Sequence, residues 1–270
     1  MSRAAEQLDR LIAVMARLRS PEGGCPWDRA QDLRSLRPYL IEEAYEVLEQ
    51  LDLCGDGPPA RALCDELGDL LFQIVFHAEI AREQKAFEMA DVIQAICDKI
   101  EFRHPHVFAG KKIQPGDDVD GWWVALKAEE RLKKSGNAGS VLDGVPREAP
   151  SLARAERLTE KASRVHFDWK KLEDVRAKVD EEIGELDEAI AQGDKRRIEE
   201  ELGDALFALA NLGRWVKVAP EDALRGTLKR FVERFHFIEE KLREKGVEPA
   251  GSSLEEMDAL WNEAKRTLGH

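Results

Sequence analysis

IEEAYEVLE at residues 41–49 and DELGDLLFQI at residues 65–74 return in the same order as DEEIGELDE at 180–188 and EELGDALFAL at 200–209. The first pair is offset by 139 positions and the second by 135. The correspondence continues outward from these blocks. Lys99 and Arg103 match Arg230 and Arg234, and Trp123 and Lys127 match Trp261 and Lys265. Four blocks in one order indicate an internal duplication, which has to be recognised before any element is assigned. The glycine- and proline-bearing stretch KKSGNAGSVLDGVPREAPS (133–151) marks the join. The expected division is residues 1–135, a linker at 136–150, and residues 151–270.

Apolar residues recur at helical spacing in both copies. Leu8, Leu11, Ile12, Met15 and Leu18 form one stripe. Leu40, Ala44, Val47, Leu48 and Leu51 form another, and Leu67, Leu70, Leu71, Ile74 and Val75 a third. Further helices are expected at 89–103, 120–134, 151–165, 171–192, 195–217, 221–245 and 254–267. No run alternates at period two long enough to need a sheet. The predicted fold is therefore all-α, a tandem pair of helical bundles with four or five helices each.

Composition narrows the function. The 270 residues carry 41 Lys and Arg against 54 Asp and Glu, a net charge of −13. Non-specific nucleic-acid binding needs clustered cations and is not expected. No apolar run approaches the ~18 residues that cross a bilayer. The N-terminus alternates charge with Leu and Ile instead of forming a signal peptide. Cys25, Cys54, Cys64 and Cys97 form no CxxC pair, so reduced thiols and a cytoplasmic location are expected. No Gly-rich phosphate loop, dinucleotide fingerprint or nucleophile–His–Asp order is present.

The duplicated blocks carry paired carboxylates. Glu43 and Glu46 are three residues apart on one helix, and Glu66 and Asp69 three apart on the next. Glu182 with Glu185, and Glu201 with Asp204, repeat the arrangement. Glu42 and Glu181 precede the first pair of each copy. Such residues on Glu-rich helices are commonly a solvated face. Here they border the apolar stripe twice over. In a helical hairpin the two pairs face one another, and their repulsion calls for a hard dication, Mg²⁺ or Mn²⁺. Gly68 and Gly203, each inside an ELGD block, suggest close helix approach or tight packing at about 1 kcal/mol of helix propensity each.

Cations and a ring complete the pattern. Arg230 and Arg234, like Lys99 and Arg103, lie one turn apart, suited to phosphate oxygens. Trp261 with Lys265, matched by Trp123 with Lys127, offers a flat ring to stack on a base and a cation to hold a phosphate, although a lone Trp is more commonly a packing anchor. The copies are unequal. Lys178 stands four before Glu182 where the first copy has Tyr39, and Arg197 stands four before Glu201 where the first copy has Ala62. The second copy is therefore expected to be the catalyst, the first weaker or structural. A rival metal pattern, Glu101-x-x-His104 and Glu233-x-x-His236, has the spacing of di-iron bundles but lies among the cations. The His104-Pro105-His106 triplet with Cys25 or Cys97 matches no structural zinc spacing.

Taken together, the EExxE and ExxD blocks resemble the MazG nucleoside triphosphate pyrophosphohydrolases. GCPWD at 24–28, RHPHVF at 103–108 and FDW at 167–169 resemble the long, two-domain form. The resemblance implies an all-α fold, homodimers, Mg²⁺ dependence and hydrolysis of NTP to NMP and pyrophosphate in nucleotide-pool housekeeping. It implies metal ligation by Glu182, Glu185, Glu201 and Asp204, with Glu181 in the catalytic set. Lys178, Arg197, Arg230, Arg234, Trp261 and Lys265 would hold the substrate, with broad base tolerance. The alternative is a non-catalytic helical dimer that senses nucleotides or binds a protein partner.

Overall fold

The structure is a computed structural model that describes residues 2–54, 57–110, 122, 126, 129 and 139–269. Every regular element among the described residues is helical, and these residues contain no strand. The chain forms two compact units, residues 1–126 and 127–270. The first contains α1 (Arg3–Leu18), α2 (Pro26–Ala30), α3 (Arg37–Cys54), α4 (Arg61–Glu83), α5 (Met89–Arg103) and α6 (Pro105–Phe108). The second contains α7 (Ser151–Ser163), α8 (Leu172–Gln192), α9 (Lys195–Trp215), α10 (Pro220–Glu244), a 3-10 turn (Pro249–Gly251) and α11 (Leu254–Leu268). The helix expected at 120–134, with Trp123 and Lys127, falls almost wholly outside the described residues.

The ends of these helices follow from local chemistry. Ser2 caps α1 by accepting from the Ala5 amide, and Ser253 caps α11 by accepting from the Glu256 amide. Pro220 opens α10 at a position where no backbone donor is required. Gly193 closes α8 at φ +70°, in the left-handed region that glycine tolerates. The next residue, Asp194, caps α9 by accepting from the Arg196 and Arg197 amides. One dipeptide thus ends one helix and starts its neighbour, and α8 folds back along α9.

In the first unit α4 packs against α1, α3 and α5. The core there is Met15, Leu36, Val75, Phe76 and Ile80, with Leu11, Ile12, Phe72 and Met89 around it. The stripe on α1 is thus core, as its spacing implies. The stripe on α4 is not a single buried face: Val75 is buried, whereas Leu67, Leu71 and Ile74 are 38–48% exposed. The helix is apolar on two sides: Phe76 and Ile80 on the other side are buried, and on the stripe itself Leu63 is buried at its start. In the second unit α9 packs against α7, α8 and α10, and α10 against α7 and α11. Ile238, Leu242 and Leu260 form a core joined by Val247, Met257 and Trp261.

The two ELGD glycines correct a reading made from sequence. A methyl group added at Gly68 or Gly203 would meet nothing within 4 Å. Neither close helix approach nor tight packing among the described residues explains them.

Candidate functional site

The α8–α9 hairpin brings the second-copy carboxylates together. Glu182, Glu201 and Asp204 each place one carboxylate oxygen within 4.8 Å of the others. Glu182 is buried, Glu201 half-buried and Asp204 exposed, so the cluster opens outward from the hairpin. Glu185 is not one of these three, yet it belongs to the same field. Partial burial, then the charges of Glu201 and Glu182, push its carboxyl above the usual value of 4.5.

Two cations lean on the cluster from within the hairpin. The Lys178 ammonium lies 2.8 Å from Glu181 and 2.7 Å from Glu182, and these two bonds hold its pKa above the ordinary lysine value. Arg197 lies 3.4 Å from Glu201. Both pairs are one helical turn apart, as their i, i+4 spacing requires.

A further assembly stands on α10 and α11. Arg230 donates to Thr227 Oγ1 at 2.8 Å. The Arg234 guanidinium lies 5.3 Å from the centre of the Trp261 ring, and Phe231 lies 5.4 Å from the same ring. Trp261 is half-buried against the α10–α11 core, and Lys265 is exposed one turn further on.

The first copy closes a different triple, Glu43, Glu46 and Glu66. Burial, then Asp69 and Glu46, raise Glu43, while a hydrogen bond with Gln73 opposes the rise. Burial, then Glu46 and Asp69, raise Glu66. Glu42 is exposed on the same helix. No lysine or arginine replaces Tyr39 or Ala62. Lys99 and Arg103 are half-buried on α5, which packs on α4. Gln73, itself buried, is a partner that sequence reading passed over. The duplication held the signal, because Gln73 stands where the second copy has Ala208.

Histidine plays no part in either cluster. Both groups of candidate ligands among the described residues are carboxylates alone. His104 Nδ1 is hydrogen-bonded to the Ile100 carbonyl of its own helix, 2.7 Å away. The di-iron and zinc patterns thus acquire no geometry.

The model of the MazG nucleotide pyrophosphohydrolase domain matches the chain twice, at residues 31–108 and 170–236. The chain belongs to the MazG family. It is 42% identical over 262 residues to a nucleoside triphosphate pyrophosphohydrolase of Escherichia coli K12, covering 96% of this chain and 97% of the relative. It is 43% identical over 265 residues to the nucleoside triphosphate pyrophosphohydrolase/pyrophosphatase MazG of Thermotoga maritima, covering 98% of both. An uncharacterised Bacillus subtilis protein, YabN, is 42% identical over 94% of this chain, which spans 51% of that protein. The two matched MazG segments are those that carry the acidic triples. No helix among the described residues is long and apolar enough to cross a membrane.

Proposed function

We propose that the protein hydrolyses nucleoside triphosphates to nucleoside monophosphate and pyrophosphate, using the second copy as its catalyst. The observation that carries this reading is the convergence of Glu182, Glu201 and Asp204 within 4.8 Å, beside cations that the first copy lacks. Family membership supports the class of reaction, cleavage of a nucleotide anhydride bond. The residues fit Mg²⁺, or Mn²⁺ in its place. All donors are carboxylate oxygens, and the fourth acid, Glu185, is raised by burial and by its neighbours' charge, as expected where negative charge is in excess. When bound, the dication neutralises phosphate charge and makes water a better nucleophile at neutral pH.

The chain's own residues supply the rest. Glu182, Glu185, Glu201 and Asp204 would hold the metal. Water attacks the α-phosphorus, the bond from it to the bridging oxygen of the β-phosphate breaks, and pyrophosphate leaves. A carboxylate at the cluster edge, Glu181, accepts the proton of the attacking water. Lys178 and Arg197, already one turn from the ligands, meet the triphosphate as it approaches, and Arg230, Arg234 and Lys265 stabilise the leaving pyrophosphate. Trp261 backs the Arg234 guanidinium. The protein works in nucleotide-pool housekeeping as a cytoplasmic homodimer. Exposed Ile183, Ile190, Leu202, Leu206 and Leu209 on the α8–α9 hairpin support self-association, since such an apolar surface favours burial.

The test is the product. Phosphorus NMR of ATP incubated with protein and Mg²⁺ should show AMP and pyrophosphate in equal amounts. ADP with orthophosphate would refute the reading. Absence of turnover would favour a nucleotide-sensing dimer instead.

A further inference from the structure

A pocket of about 610 Å³ opens in the first unit, bounded by α2 and the C-terminal ends of α1 and α4. Its size is that of a small-ligand site. Its lining carries Arg19, Arg29, Arg82 and Lys85 against Glu79 and Glu83. Four cations thus meet two carboxylates in a chain whose net charge is −13. Each helix C-terminus adds about half a negative charge. The ends of α1 and α4 therefore offset about one of the two surplus positive charges, and the pocket stays positive.

The two carboxylates hold the arginines in place. Glu79 is buried, and its oxygens accept from Arg82 Nε and Nη2, both at 2.7 Å. Glu83 accepts from Arg19 in the same way, at 2.8 and 2.7 Å. Arg19 also donates to the Asp28 and Gln31 carbonyls, so its buried side chain is fully engaged. Arg82 differs. Its Nη1 makes no hydrogen bond among the described residues, and its side chain is half exposed. A guanidinium gripped on one edge presents the other at a fixed angle, which lowers the entropy lost when an anion docks. Arg29 and Lys85 are exposed, and neither forms an ion pair among the described residues. Lys85 is held at φ +57°, a left-handed value uncommon for a residue with a side chain.

The duplication provides an internal control. At the offset of 135, Glu79 corresponds to Arg214, Arg82 to Lys217, Glu83 to Val218 and Lys85 to Pro220. The second copy lacks both carboxylates that fix the arginines, and it lacks the cation at the end of the helix. This set of charges therefore belongs to the first copy alone. It is also separate from that copy's acidic triple. Glu79 stands 13 residues after Glu66 on α4, about 20 Å of helix.

We propose that this pocket is an anion site, separate from both acidic clusters, which binds a small phosphate-bearing molecule on Arg29, Arg82 and Lys85. The outer edge of Arg82 donates to the phosphate oxygens, and Arg29 and Lys85 neutralise the charge that remains. Orthophosphate, pyrophosphate and a nucleoside monophosphate share this chemistry. Occupancy links α2 to the end of α4 and so stiffens the place where three helices meet. The site takes no part in the hydrolysis proposed above.

The test follows amide hydrogen exchange of the full-length protein without metal, read peptide by peptide. Orthophosphate, pyrophosphate or AMP should slow exchange at residues 19–31 and 79–88, and the anion that acts at the lowest concentration identifies the source. Protection of second-unit peptides by the same anions reports other sites and is read apart. Arg29→Gln combined with Lys85→Gln should raise the anion concentration needed for first-unit protection at least about tenfold, the loss of a charge-assisted hydrogen bond. Both side chains are exposed, so the fold does not depend on them. Arg82 is left in place because Glu79 would otherwise be buried without its partner. Arg29→Lys combined with Lys85→Arg should restore the protection, and pyrophosphate release from ATP should be the same in parent and variants. The site is refuted if none of the three anions protects these residues, or if sodium chloride at matched ionic strength protects them equally. Protection that survives the double glutamine substitution overturns it as well. Loss of pyrophosphate release in that variant would place the pocket within the reaction and overturn its independence.

Discussion

Lys178 divides one ammonium between Glu181 and Glu182, so it stands in for part of the positive charge the cluster needs. Glu185 receives no such bond, and its neighbours' charges work against its ionisation. Glu185→Gln should therefore raise the melting temperature of the metal-free protein and abolish the rise that Mg²⁺ produces in the parent, as read by differential scanning calorimetry. A different carboxylate shows the opposite sign. Arg19 donates twice to Glu83, at 2.8 and 2.7 Å, tying the end of α1 to the end of α4. Those bonds hold Glu83 below the usual 4.5. A lowered carboxylate contributes stability above its unfolded value and loses it as pH falls through the folded one. Glu83→Gln should cost about 1 kcal/mol at pH 7, a low figure for a bond to a charged group because Glu83 is 36% exposed. The difference from the parent should begin to shrink as pH falls below 4.5, and the denaturant midpoints should converge once pH drops through the lower folded value. The pairing of Glu182 with Glu185 and of Glu201 with Asp204 was legible because the members of each pair are three residues apart on one helix. Gln73 and the Arg19–Glu83 link were not, because their partners lie on separate elements.

Among the elements, the α8–α9 hairpin fixes the register in which Glu182 meets Glu201 and Asp204. Gly193 and Asp194 set that register. Gly193→Ala forces a side chain into a left-handed conformation at about 1–2 kcal/mol, and Asp194→Ala removes a cap worth about 1 kcal/mol. Both should lower the urea midpoint, and Gly193→Ala should also weaken Mg²⁺ binding by shifting one pair of acids along the other. The second-unit helices were legible nearly to the residue, because capping residues and breakers bracket each periodic run. The α4 stripe was less so. Periodicity reveals that a face is apolar, not how far neighbours cover it, and Leu67, Leu71 and Ile74 stay 38–48% exposed among the described residues.

For the whole molecule, duplication gave two acidic triples with unequal surroundings. Glu43→Gln combined with Glu66→Gln should leave at least half of the pyrophosphate release. Glu182→Gln combined with Glu201→Gln should reduce it at least a hundredfold, within the range for losing electrostatic stabilisation. Equal losses from both pairs would make the two copies joint catalysts. The repeat was the most legible feature of the sequence, since it needs only residue order. The pocket around Arg82 was hidden, because its cations stand on separate elements whose ends meet only in the fold.

The vacant space around Gly68 and Gly203 bears on selection. Alanine at either position would strengthen its helix by about 1 kcal/mol and strike nothing inside the protein. A fold optimised in isolation would have accepted that gain. A bare backbone at both positions leaves room there for a group from outside the polypeptide to come closer than a methyl group would permit.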